Sequence, residues 1–150
     1  MSKNNTIDYY LKTAWQSVAN SYNQVASKVG LTQASGYVLI NIHKEGTAVS
    51  QIANLLGVRS TSLSRMLNGM EEQGLIYREA SSQDKRSVKV FLTDLGLEKR
   101  TEAKNIVREF NDYLIDNMTE SERDKLEASL IKINQLAQKY IQENNKASKI

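Results

Sequence analysis

The stretch VSQIANLLGVRSTSLSRMLNGMEEQGLIYREA, residues 49–80, decides the fold. Val49, Ile52, Ala53 and Leu56 recur at helical spacing over two or three turns, and Gly57 stops the pattern. After a turn at Gly57-Val58, Leu63, Met66, Leu67 and Met70 step by three and four, so Ser60–Gln73 reads as a second short helix ended by Gly74. Two short helices joined by a glycine-containing turn make a helix-turn-helix. The period then changes. Leu75-Ile76-Tyr77-Arg78 reads as a strand, the polar run Ser81 to Arg86 as a turn, and Val88, Val90 and Leu92 alternate with Lys89 and Phe91 as a returning strand. A hairpin directly behind a helix-turn-helix is a winged helix.

Working outward, Ile7, Leu11, Ala14, Trp15, Val18, Tyr22, Val25, Ala26 and Val29 form one helical stripe that Gly30 closes. Thr32 is placed to cap a second helix running to Lys44, with Gly46 beyond it. On the other side, the Thr93 hydroxyl can cap a long helix whose stripe includes Leu97, Ile106, Phe110, Tyr113 and Leu114. Thr119-Glu120-Ser121-Glu122 has the form of a capping box and starts a last helix through Leu126, Leu130, Ile133, Leu136 and Tyr140. The lysine-rich residues from Gln142 to Ile150 are expected to fray. The expected class is mainly α with a small β-hairpin wing: a winged helix-turn-helix lobe at about residues 32–93, within a single domain of 150 residues. Long helices at about 6–30 and 94–142 bracket that lobe. They need partners for their stripes, which predicts a two-fold homodimer, with a monomeric helical bundle as the alternative.

Composition narrows the function. The chain has 40% hydrophobic and 25% charged residues, the balance of a globular protein, and no apolar run of the ~20 residues that span a bilayer. No partnership with a membrane is expected. It has no proline and only seven glycines, which favours helix. It has no cysteine, which excludes disulfides, thiolate catalysis and thiol redox sensing, and fits a reducing, cytoplasmic setting. The net charge of +3 permits a nucleic-acid partner without requiring one.

Catalysis finds no constellation. The single histidine, His43, falls in the second helix with no acid or thiol beside it in sequence. There is no phosphate-binding glycine loop and no metal-ligand spacing. Glu71-Glu72 are adjacent, so they do not share a helix face, and they read as a solvated helix end. Neither enzyme activity, metal nor cofactor is expected.

DNA binding finds more. With Leu63, Met66 and Leu67 turned inward, Thr61, Ser62, Arg65 and Asn68 lie on the opposite side of the second short helix. Short hydroxyl side chains allow close approach to base edges, and Arg65 can fork onto guanine or phosphate. In the hairpin, Asp84-Lys85-Arg86 occupies the turn. An arginine at the end of a stiff ribbon suits a minor groove, where negative potential is focused, and the carboxylate two residues earlier can hold it. A helix end solvated by serines and a turn holding a local ion pair are the plainer readings of the same residues.

Taken together, Val49-Ser50-Gln51-Ile52-Ala53, Leu56-Gly57-Val58, Ser64-Arg65, Met70 to Arg78, Asp84-Lys85-Arg86 and Leu92-Thr93-Asp94-Leu95-Gly96 resemble MarR-family transcription regulators. The resemblance covers the central half of the chain closely, and the flanking helices match in length and placement. It implies a triangular dimer joined through both chain ends. Its partner would be double-stranded DNA bearing a pseudo-palindromic operator, with half-sites about 34–36 Å apart. It makes Ser60, Thr61, Ser62, Ser64 and Arg65 groove-facing candidates, Arg86 the minor-groove residue, Asp84 its support, and Lys85 part of the same wing site. Arg59 stands where many relatives carry a small capping residue, which adds a candidate phosphate contact. The absent cysteine excludes the family's cysteine-based sensors, so regulation would come from a small ligand. Trp15, Tyr22, Tyr37 and His43 are candidates to line a pocket for an aromatic or phenolic effector, or are simply core. The implied function is ligand-responsive repression of transcription. The alternatives are an architectural or activating DNA-binding protein, and a helical interaction module that binds no DNA.

Overall fold

The computed structural model describes residues 5–80, 83 and 87–147. In chain order the elements are α1 (Ile7–Ser27), α2 (Gln33–Asn41), β1 (Thr47–Ala48), α3 (Val49–Leu56), α4 (Ser60–Glu72), β2 (Ile76–Ala80), β3 (Val88–Leu92), α5 (Asp94–Asn117) and α6 (Glu120–Ala147). The chain divides into two compact units, residues 1–108 and 109–150.

The first unit is built around one apolar core. Val38 and Leu39 of α2, Ile42 just beyond it, Ile52 of α3, Leu63 and Leu67 of α4, Ile76 of β2 and Val90 of β3 are essentially fully buried. The stripes read from the sequence of α3 and α4 therefore face one another and the sheet. Gly57, left-handed at φ 63°, makes the turn between the two helices, and Gly74 at φ 72° reverses the chain from α4 into β2.

The sheet has three strands, ordered β1-β3-β2 and antiparallel throughout. Ile76 pairs with Leu92 and Ala80 with Val88, so the hairpin stands as expected. The two-residue β1 was not foreseen. Thr47 and Ala48 pair with Val90 and Lys89 and cover the far edge of β3. On one face of the sheet Tyr77 and Phe91 stack at 5.3 Å, and a Cβ at Gly46 would fall 2.6 Å from the Phe91 ring.

Three boundaries differ from the sequence reading. Helix α1 stops at Ser27, although Val29 continues the apolar stripe. Helix α2 stops at Asn41 rather than Lys44: Ile42 is extended, and the His43 amide donates to the Thr47 hydroxyl at 2.9 Å. Helix α6 continues through the polar tail to Ala147, because Gln, Glu and Lys are good helix formers whether or not they are buried.

The join between wing and α5 explains Leu92-Thr93-Asp94-Leu95-Gly96. The Thr93 amide donates to the Leu75 carbonyl at 3.1 Å, and its hydroxyl accepts the Gly96 amide at 3.0 Å while donating to the Gly74 carbonyl. One threonine thus caps α5 and ties it to the reversal after α4.

The second unit contains the end of α5 and all of α6. Thr119 and Glu122 form the expected capping box: Glu122 accepts from the Thr119 amide at 2.8 Å, and the Thr119 hydroxyl from the Glu122 amide at 3.3 Å. The Thr119 amide and with it the Thr119 hydroxyl, which donates at 2.9 Å, hold the Glu122 carboxyl below its ordinary pKa. Helix α6 has 28 residues and none is buried; Leu126, Leu130, Leu136 and Tyr140 are all exposed.

Candidate nucleic-acid interface

Helix α4 is anchored by Leu63, Leu67 and Met70, which are buried. That fixes its rotation and turns Ser60, Thr61, Ser62, Ser64 and Arg65 outward, all exposed, with Arg59 exposed just before them. The structure therefore brings these six candidates together at one end of one helix. Arg59 occupies the N-cap position in extended conformation and no side chain caps the helix. The first-turn amides are left without a side-chain acceptor, an arrangement that favours an anion. Among the described residues neither Arg59 nor Arg65 has an ion-pair or hydrogen-bond partner, so both guanidinium groups are available to a ligand.

Asp84, Lys85 and Arg86 lie outside the described residues. The described part of the wing pairs up to Ala80↔Val88.

Glu71 and Arg78 were not recognised as a pair from the sequence. Glu71 is not a merely solvated helix end. Its Oε2 accepts from Arg78 Nη2 at 2.6 Å and from Nε at 3.2 Å, and its Oε1 accepts the Arg78 backbone amide at 3.2 Å. Arg78 Nη2 also donates to Asn68 Oδ1 at 2.6 Å. Hydrogen bonds from the guanidinium, helped by its charge, hold the Glu71 carboxyl below its ordinary pKa. Glu72, by contrast, is exposed.

A second, separate hollow of about 220 Å³ opens between α1, α2 and α5. Trp15, Tyr22, Tyr37, Ile40 and Ile106 line it, and Gly36 forms part of its wall. Three of the four proposed pocket residues thus meet there. Trp15 is 56% and Tyr37 38% exposed, so these rings rim an opening and are not core. His43 does not join them: because α2 ends at Asn41, it sits in the following loop, exposed. The wall includes no charged side chain.

Among the described residues no cluster of His, Cys, Asp or Glu is arranged to hold a metal ion, and no helix is long and apolar enough to cross a membrane.

Residues 29–87 match the model of the MarR family, and this span runs from just after α1 through α4 and β2 to the residue before β3. The chain belongs to the MarR family. Among curated relatives, the HTH-type transcriptional repressor MdtR of Bacillus subtilis (strain 168) is 30% identical over 91 residues, 60% of this chain. The match spans 59% of the length of that relative. Among solved structures, the transcriptional repressor CouR bound to a 23-mer DNA duplex is 30% identical with a TM-score of 0.74, covering 86% of this chain and 92% of that one. A mutant of MarR from E. coli, complexed with operator DNA, is 26% identical with a TM-score of 0.76, covering 85% and 92%. The S. aureus MepR–DNA complex has a TM-score of 0.80 at 23% identity, covering 88% and 98%, and speaks to the fold.

Proposed function

We propose that the protein is a sequence-specific, homodimeric repressor of transcription that binds double-stranded DNA. The observation that carries this reading is the outer face of α4: five exposed hydroxyl or guanidinium side chains from Ser60 to Arg65, beside Arg59, on a helix locked in rotation by its buried face. Hydroxyls can meet base edges or phosphates at short range, and Arg65 can fork onto guanine. Arg59 and the open helix end suit phosphates. The wing residues Lys85 and Arg86 complete the surface in this reading, with Arg86 entering the minor groove and Asp84 supporting it.

The relatives that share this fold include a protein named as a repressor and others solved on DNA, one of them on operator DNA, which supports the same role here. Helix α6 supports the dimer. Its apolar side chains are exposed in the single chain, and a second copy is the partner a two-fold assembly supplies. Two lobes related by that axis fit a pseudo-palindromic operator. The hollow between α1, α2 and α5 suits a small, neutral, aromatic effector, since its wall is apolar and uncharged. A ligand that binds better to a dimer with the wrong lobe spacing lowers operator affinity by linkage.

The test is selection of bound sequences from a randomised duplex pool. Enrichment of one pseudo-palindromic sequence, bound far more tightly than random duplex at matched salt, is expected. Equal binding of all sequences would favour an architectural role, and no binding at all a protein-interaction module.

A further inference from the structure

Strand β2 lies at the edge of the sheet, and the α4–β2 reversal at Gly74 folds it back beside α4. Strand β2 has a strand neighbour on one side only, so the placement of its free edge depends on what else holds it. Ile76 holds its start in the core, and two residues on, the polar hold is Arg78. Its backbone amide and two guanidinium nitrogens all engage Glu71, and one nitrogen also reaches Asn68, so a single residue of the wing is fixed to two successive turns of α4. Arg78 also borders a polar hollow of about 290 Å³ with Ser50 of α3, Ser64 of α4, and Ser87 and Val88 at the start of β3. The first helix of the motif, the second helix and the wing thus all border this one hollow.

We infer that Arg78 is a positioning residue for DNA binding: with Glu71 and Asn68 it clips the wing to α4, so that the two elements meet the duplex in one fixed relative orientation. This rests on the DNA-binding reading above. The Arg78 charge is met by Glu71, so the residue acts through geometry and not as another phosphate contact. A planar fork can hold a carboxylate and an amide oxygen together; the point charge of a lysine cannot reproduce that arrangement. Holding the wing in place before binding removes an ordering cost that would otherwise fall on the complex.

The test uses the full chain and the duplex enriched by selection, with affinity measured by fluorescence anisotropy at several salt concentrations. Glu71→Gln and Arg78→Lys should each weaken binding about three- to tenfold, and the double variant should be no weaker than the poorer single one, because both break the same clip. Arg78→Lys should fare no better than Glu71→Gln although it keeps the charge. The salt slope should not change, since no phosphate contact is lost. Asn68→Ala, which removes one bond from an exposed residue, should show a smaller loss in the same direction and serves if a Glu71 or Arg78 variant fails to fold. Arg78→Lys binding as wild type does, or losses that simply add, would overturn the inference. A slope shallower by roughly one would also overturn it and make Arg78 a phosphate contact. A wild-type protein that does not prefer the selected duplex to a random one would overturn the DNA-binding reading itself.

Discussion

Gly96 sits against the backbone of Leu75: a Cβ at position 96 would fall 2.0 Å from the Leu75 carbonyl oxygen. Only a residue without a side chain lets the first turn of α5 approach the α4–β2 reversal this closely, and the Thr93 bonds depend on that approach. Gly96→Ala must push α5 away, and we expect it to cost about 1–3 kcal/mol. Gly69, inside α4 with open space around it, should behave in the opposite way, since alanine there gains about 0.4–1 kcal/mol by restricting the unfolded chain. Urea unfolding of the two variants checks both signs; a neutral Gly96→Ala would show that α5 does not dock as described.

Acid should weaken the fold through two identified carboxylates. Glu71 and Glu122 both have pKa values below their ordinary 4.5 in the folded chain, the first through Arg78 and the second through Thr119. A depressed folded pKa adds stability above the unfolded value, and that stability is lost as pH falls through the folded one. The double variant Glu71→Gln, Glu122→Gln should therefore be less stable than wild type at neutral pH. The gap should close as pH drops below 4.5 through the folded pKa values. Thermal melts from neutral pH down to the most acidic pH at which the fold persists check this. A gap that stays constant across the range would show that neither carboxylate is held by its partner.

The two short helices, the turn between them and the hairpin were legible because each carries a local signal. Apolar spacing changes period at Leu75, and Gly57 and Gly74 stand where left-handed backbone is needed. The threonines at 32, 93 and 119 announced their helices in the same way, since capping is a property of a few adjacent residues. What stayed hidden depends on residues far apart. Strand β1 exists because Val90 and Lys89 offer an edge to Thr47 and Ala48, and two residues carry no period of their own. His43 was placed on a helix because the apolar spacing of α2 continues past Asn41; the Thr47 hydroxyl ends that helix instead. The outward set on α4 could be read from the sequence by subtraction, once its buried stripe was known. The Glu71–Arg78 pair could not, because a reversal, and not a helical repeat, brings the two together.

Helix α6 should be covered by a second copy of the chain. Leu136 is 53% exposed, and Leu136→Glu would place a charge in that interface. Light scattering after gel filtration should give the wild type about twice the 16.9 kDa chain mass and Leu136→Glu a smaller mass, with weaker operator binding. A wild type that runs as a 16.9 kDa monomer at micromolar concentration would contradict the dimer.

Within the wing, Arg86→Ala should weaken operator binding more than Lys85→Ala. The proposal puts Arg86 in the minor groove, which concentrates negative potential beyond that of the outer phosphate surface, and the planar guanidinium fork loses less entropy per bond on docking than a lysine. The expected cost is about 1–3 kcal/mol per subunit. Anisotropy titrations of both variants check the order, and the reverse order would place Lys85 at the groove.

The proposed recognition of duplex DNA rests on the exposed face of α4, and Arg65 is the residue there that the proposal gives the most to lose. The direct measurement is a titration of the selected operator duplex and of a random duplex with wild type and Arg65→Ala at several salt concentrations. Arg65 is exposed and unpaired among the described residues, so circular dichroism and melting temperature should not change. Operator affinity should fall by about 1–3 kcal/mol and the preference over random duplex should shrink. Equal operator affinity and equal preference for wild type and a folded Arg65→Ala would contradict the claim that this helix face reads DNA.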